Sequence, residues 1–156
     1  MLPTGYDFTK ADFPSLLLRK WFPERTDKES AVMRDFLLRH LDEFDAISFS
    51  VRVGQGLTAN PDHLSAVQLN TVFSTRKKID MLGFQGGRPV IMEVKQHVTP
   101  AVLGQLRTYR HLFLEEHPDA REPRLVAIGR SSDDDTLRVL QNEGVDVYLF
   151  EEGTSG

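Results

Sequence analysis

Cysteine is absent from this 156-residue chain, which excludes disulfide bonds and metal sites built on thiolates. A chain without cysteine is compatible with a reducing compartment, and we expect a cytoplasmic protein. The apolar content of 40% is sufficient for one compact core at this length. We therefore expect a small α/β protein that needs no covalent cross-link.

Long apolar runs are missing as well, since no stretch approaches the ~18 residues of a transmembrane helix. The first residues, Met1 to Asp7, lack the basic and apolar regions of a signal peptide. We expect neither a membrane-spanning segment nor a secretory leader.

Acidic residues are scarce in the middle of the chain, although the whole chain carries a net charge of −4. Residues 46–110 hold eight Lys or Arg and only three Asp or Glu, a net charge of +5, whereas residues 1–45 carry −2 and residues 111–156 carry −7. Two of the three central acids are Asp80 and Glu93. A basic region with an acidic centre is typical of a phosphate-binding surface. Chance clustering on a solvated face is the alternative.

Two alternating apolar segments joined by Gly86-Gly87 predict a β-hairpin, because a Gly-Gly pair between such segments favours a two-residue turn. With those glycines as the turn, Asp80 lies opposite Glu93 and Lys78 lies opposite Lys95. The other pairs of this register are Gln85–Arg88 beside the turn, Leu82–Ile91 on the face of the acids, and Ile79–Val94 and Met81–Met92 on the other face.

Two carboxylates that face each other on a sheet need a compensating cation. Opposed side chains have Cβ atoms roughly 4.5–5.5 Å apart, and like charges there destabilise the sheet. A hard divalent metal ion bound through oxygen ligands is the first candidate for this cation. The second is an arrangement of ion pairs in which Lys78 and Lys95 neutralise Asp80 and Glu93 at a solvated strand end. The spacing alone leaves both open.

The rest of the chain predicts one α/β unit. Helical spacing indicates a helix from about Asp27 to Glu43, and Thr99-Pro100 starts a helix that runs to about Glu116, with Thr99 as its N-cap. A further helix is expected over Asp133–Glu143. Strands are expected at 47–53, 67–73, 125–129 and 145–150, with a polar loop at 54–65 after the first of them.

The domain organisation follows from these elements. Residues 26–150 form a single domain, because no linker is long enough to separate a second one. Residues 1–25 are aromatic and irregular, and we expect them to form an arm packed on the core, with a short helix over Pro14–Lys20. The tail 151–156 is expected to be disordered.

The spacing of the acids also carries a resemblance. Ile79-Asp80, followed thirteen positions later by Glu93-Val94-Lys95, is similar to the bipartite motif of the PD-(D/E)XK nuclease superfamily. Gln105 and Tyr109 on the next helix resemble the Gln-x-x-x-Tyr element of many of its members. The similarity spans about residues 26 to 110 and is greatest to the prokaryotic DNA-repair and phage-type branches. Lys78 stands where the motif usually has proline.

The resemblance implies a restriction-endonuclease-like core with a central mixed β-sheet flanked by helices. It implies a Mg²⁺-dependent deoxyribonuclease that cuts phosphodiester bonds in DNA, with Mn²⁺ as a possible substitute. Asp80, Glu93 and the carbonyl of Val94 would hold the metal, and Lys95 would orient the attacking water or neutralise developing charge. Gln105 would lie toward the metal site and Tyr109 toward the substrate backbone.

Several assignments stay open at this point. Thr26 and Glu29 fit a helix capping box, whereas the resemblance would place Glu29 near the metal as a further catalytic residue. Tyr109 fits equally well in a core-facing stripe of its helix, with Gln105 at the edge. The cations expected to contact substrate phosphates are Arg76, Lys78 and Arg107. A nuclease-fold subunit that binds nucleic acid without cutting it is the alternative function, and a homodimer is left open.

Overall fold

The structure is a computed structural model that describes residues 6–56 and 76–152. The expected strand at 67–73, most of the expected loop at 54–65 and the end of the expected tail lie outside the described residues. Within them, six strands form one sheet in the order β1 to β6. The strands are β1 (Phe8–Thr9), β2 (Ala46–Val53), β3 (Lys77–Gln85), β4 (Arg88–Val94), β5 (Arg124–Gly129) and β6 (Val145–Leu149).

The sheet is mixed. Strands β1 to β4 pair antiparallel with one another, and β4, β5 and β6 pair parallel. The helices are α1 (Phe13–Leu17), α2 (Asp27–His40), α3 (Ala101–Glu116) and α4 (Asp134–Asn142), with short 3₁₀ turns at Lys10–Asp12 and Leu41–Glu43. This arrangement confirms the predicted α/β class with a central mixed sheet flanked by helices.

The core lies on both faces of the sheet. On one face, Phe36 and Leu37 of α2 pack with Met81 and Met92 of the hairpin. On the other, Leu106 of α3 and Leu140 of α4 pack with Leu82 and Ile91. The spacing of these apolar residues fixes which side of each helix is buried, since positions three or four apart share one helix face.

The hairpin register is confirmed. Gln85 pairs with Arg88, and the ladder continues through Leu82–Ile91 to Met81–Met92. Gly86 and Gly87 have φ values of 56° and 83°, the left-handed conformation that both central residues of this turn type require. A side chain at either position would be strained, which explains the Gly-Gly pair.

Beyond Met81 the two hairpin strands separate, and two details of the prediction are wrong. Ile79 packs in the core cluster of Leu82 and Ile91, on the face opposite to Val94. Lys78 pairs with Arg52 of β2 instead of facing Lys95. The change of face occurs where β3 leaves β4, after the last pair Met81–Met92. The neighbouring strand is irregular at the same level, since Ser50 of β2, opposite Asp80, has a φ of 53°. The regular alternation of faces on which the prediction relied is therefore interrupted there.

The N-terminal segment contributes directly to the core through Phe13, Leu16 and Phe22. The short helix begins one residue earlier than expected, at Phe13, and ends three residues earlier, at Leu17, and strand β1 was not predicted. Helix α3 begins at Ala101 without a side-chain cap, so Thr99 is not its N-cap. No helix among the described residues is long and apolar enough to cross a membrane.

Candidate metal and phosphate site

Asp80 and Glu93 lie close together in the interior, where β3 and β4 separate. Only 2% of Asp80 and 4% of Glu93 is exposed to solvent. Asp80 Oδ2 accepts a 2.8 Å hydrogen bond from the backbone N–H of Val94, which replaces a ladder bond at this point. Because the strands separate here, the carboxylate of Asp80 reaches the end of β4 and lies beside the carboxylate of Glu93.

The electrostatics of Glu93 show that this pair is short of positive charge. The pKa of Glu93 is raised from 4.5 to about 8, first by burial and then by the nearby carboxylate of Asp80, although Lys95 and Arg25 act to lower it. Glu93 Oε2 is buried and has no hydrogen-bond partner within the described part of the chain. A buried acceptor without a donor is costly, so this oxygen is suited to a cation.

Two cations already contact the acids. Lys95 Nζ lies 3.5 Å from Glu93 Oε1, and Arg25 Nη1 lies 2.6 Å from Asp80 Oδ1. The ion-pair alternative is thus realised in part, but with Arg25 in place of Lys78, whose Nζ lies 3.8 Å from Glu24. Arg25 was not among the residues predicted for this site. The only available signal was its position directly before the Thr26 cap.

Glu29 forms the predicted capping box at the start of α2. Its Oε1 accepts from the Thr26 N–H at 3.2 Å, and Thr26 Oγ1 accepts from the Glu29 N–H at 3.1 Å. Glu29 Oε2 lies 3.7 Å from Arg25 Nη1. Glu29 therefore reaches the acidic pair only through the guanidinium of Arg25, and its role as a metal ligand stays a prediction.

The Glu29→Gln variant tests the cap against the catalytic role. Because glutamine also serves at this position of a capping box, we expect a melting temperature within about 2 °C of the wild type and unchanged cleavage. Thermal melting and a cleavage assay on the same preparation check this. A sharp loss of cleavage at an unchanged melting temperature would assign Glu29 to the site instead.

Tyr109 lies in the core-facing stripe of α3 and also near the acidic pair. It is buried in the α3 stripe with Val102, Leu106 and Phe113. Burial, followed by the negative charges of Glu93 and Asp80, raises the pKa of Tyr109 well above its ordinary value. The hydroxyl of Tyr109 is therefore close to the acidic pair. Gln105, one turn earlier, has a buried Oε1 without a partner in the described residues.

The three cations expected at substrate phosphates are all held by acidic residues. Arg76 Nη2 lies 3.1 Å from Glu116, Lys78 contacts Glu24, and Arg107 forms an ion pair with Glu143. Glu143 precedes the N-terminal end of β6, whereas Glu93 lies near the C-terminal end of β4, which runs in the same direction. The structure does not bring Arg107 to the acidic pair.

The residues present fit a hard divalent cation. Mg²⁺ keeps several waters and is commonly held by only one or two carboxylates together with substrate phosphates. Asp80 and Glu93 supply two carboxylates, and the unpartnered Oε2 of Glu93 is an available oxygen donor. In residues 6–56 and 76–152, no group of three or more His, Cys, Asp or Glu comes together, so these residues offer no larger set of ligands.

No family model and no curated protein matches this chain. Its fold is similar to a complex of EndoMS with double-stranded DNA, with a TM-score of 0.46 and 17% identity over 85% of this chain. It is similar to a repair endonuclease from Pyrococcus abyssi, with a TM-score of 0.46 and 18% identity over 84% of this chain. The chain spans 48% and 49% of those two proteins. Structural similarity with such low identity and TM-scores does not identify a substrate for this protein.

Proposed function

We propose that this protein is a divalent-metal-dependent nuclease that hydrolyses phosphodiester bonds in DNA. The observation that carries the proposal is the buried pair of Asp80 and Glu93, with an unpartnered oxygen on Glu93 and the amine of Lys95 beside it. Buried carboxylates without full compensation are unfavourable for stability, and such groups are concentrated at functional sites.

Asp80, Glu93 and the carbonyl of Val94 would hold Mg²⁺ or Mn²⁺, which polarises a phosphate and lowers the pKa of a bound water. The side chain of Lys95 is 38% exposed, so its ammonium is accessible to substrate from solvent while it contacts Glu93. A positive charge at that point stabilises negative charge that develops on the phosphate oxygens. Tyr109, near Glu93, would contact the substrate backbone.

The charge distribution supports DNA as the substrate. Residues 46–110 carry a net charge of +5 in an acidic protein, and both Lys78 and Arg76 lie at the start of β3, the strand that carries Asp80. Their present partners, Glu24 and Glu116, are partly exposed, and exposed ion pairs are weak. Phosphate groups would therefore compete readily for these cations, and for Arg107.

One observation favours the second candidate, a module that binds nucleic acid without cutting it. Arg25 and Lys95 each contact one of the two acids, so part of the charge compensation comes from the protein itself. A nuclease-fold protein that no longer binds a metal ion would need Arg25 and Lys95 beside the two acids at all times.

A cleavage assay decides between the two candidates. Labelled single- and double-stranded DNA is incubated with the wild type and with Asp80→Asn, in Mg²⁺, in Mn²⁺ and in chelator. We expect metal-dependent cleavage by the wild type only, and calorimetric Mn²⁺ binding that is lost in Asp80→Asn. DNA binding without cleavage in any metal, together with absent Mn²⁺ binding, would establish the non-catalytic module.

A further inference from the structure

Arg25 is the most unusual side chain of the site. Its side chain is 8% exposed, and its Nη1 lies 2.6 Å from Oδ1 of the buried Asp80. The same nitrogen lies 3.7 Å from Glu29 Oε2. Arg25 Nε and Nη2 are buried and find no acceptor within the described residues. Because buried donors are normally satisfied, this guanidinium has unused binding capacity where it lies.

The backbone on both sides of Arg25 is fixed. The preceding Glu24 has a φ of 61°, and its carboxylate contacts Arg52 at 3.0 Å and Lys78 at 3.8 Å. Upstream, the N–H of the buried Phe22 donates to Ser30 of α2 at 3.1 Å. The following Thr26 caps α2. Local structure therefore directs Arg25 to Asp80, since a left-handed non-glycine residue persists only where its surroundings hold it.

Asp80 has no uncommitted oxygen while Arg25 is in place. Oδ2 accepts from Val94 N–H at 2.8 Å, and Oδ1 is paired with the guanidinium. A divalent cation that binds Asp80 meets the positive charge of Arg25 at close range and in a water-poor site, where like charges repel strongly. The arginine and the metal ion cannot share this carboxylate at full strength.

We propose that Arg25 is a built-in competitor of the metal ion: its guanidinium occupies Asp80 in the metal-free protein and gives the carboxylate up when the cation binds. This inference rests on the metal-dependent function proposed above. Glu29 Oε2, already 3.7 Å from Nη1, is the acceptor to which the released guanidinium moves. Because an amide oxygen also accepts from a guanidinium, Glu29→Gln keeps this acceptor, which agrees with the unchanged cleavage expected of that variant.

Direct titration with Mn²⁺ in the absence of DNA tests the competition. In Arg25→Gln we expect Mn²⁺ to bind at least about tenfold more tightly than in the wild type, in the range of ordinary coupling between sites. Lys28→Gln is the matched control, because it removes an exposed positive charge three positions away. We expect its affinity to change by no more than about threefold, as for screened surface charges.

The wild type gives a second readout that does not depend on the folding of a variant. Arg25 side-chain N–H signals, assigned by their loss in Arg25→Lys, should shift on saturation with Mg²⁺. Equal Mn²⁺ affinity of wild type and Arg25→Gln, or Arg25 signals unchanged by saturating Mg²⁺, would overturn the competition while leaving the metal site standing. Absence of metal binding to every variant would overturn both the competition and the proposed nuclease.

Discussion

The Glu93→Gln variant is expected to melt about 5 °C or more above the wild type at pH 8 in the absence of metal, while losing Mn²⁺ binding and cleavage. Glutamine is nearly isosteric and neutral, so the buried charge beside Asp80 disappears. The pKa of Glu93 is raised from 4.5 to about 8. Each pKa unit corresponds to about 1.4 kcal/mol, and each kcal/mol moves the melting temperature of a domain this size by about 2–4 °C.

The pH dependence of this difference has a definite sign. A carboxyl group whose pKa is raised on folding favours the folded state at low pH, and this advantage is lost as pH rises from 4.5 through about 8. The gap between Glu93→Gln and the wild type should therefore vanish below about pH 4.5, grow as pH rises, and level off above about pH 8. Glu122→Gln is the control, because Glu122 is 71% exposed and also pairs with an arginine at 3.5 Å. A lower melting temperature of Glu93→Gln than of wild type at pH 8 would show that the buried charge of Glu93 does not destabilise the folded protein.

Lys95→Ala is expected to reduce cleavage at least about 100-fold while leaving the fold and most of the DNA affinity intact. Removing one preorganised charge at the reacting phosphate typically costs 10²–10³ in rate. Non-specific affinity is shared among many phosphate contacts, so the loss of one lysine changes it little. Single-turnover cleavage at saturating protein measures the first effect, and DNA titration at fixed salt measures the second.

Lys77→Ala is the matched variant for this experiment. Lys77 is an exposed lysine at the start of β3, in the same basic segment, and it has no role in the proposed site. Loss of cleavage in Lys95→Ala but not in Lys77→Ala assigns the effect to the contact with Glu93. Retained cleavage in Lys95→Ala would falsify the proposed role of Lys95.

Most of the secondary structure was predictable because it depends on neighbours in sequence. The Gly86-Gly87 turn fixed the hairpin register, and the apolar spacing of α2 and α3 indicated the faces that they bury. The prediction is wrong where pairing with β2, a strand distant in sequence, takes the place of pairing within the hairpin. Ile79 changes face where β3 leaves β4, beside the left-handed Ser50 of β2, and no local pattern around Ile79 contains that information.

The sequence by itself determined the hairpin register from Gln85–Arg88 to Met81–Met92, since a two-residue turn and the two-residue period of a strand leave one register, and this brings Asp80 and Glu93 to the same end of the hairpin. It also determined the capping box of Thr26 and Glu29, whose partners are three positions apart. Only the tertiary structure decided which cations neutralise the acids. Arg25 reaches Asp80 because α2 docks on the sheet with its N-terminus at the point where β3 and β4 separate, and the strength of a charge contact depends on distance and burial in space.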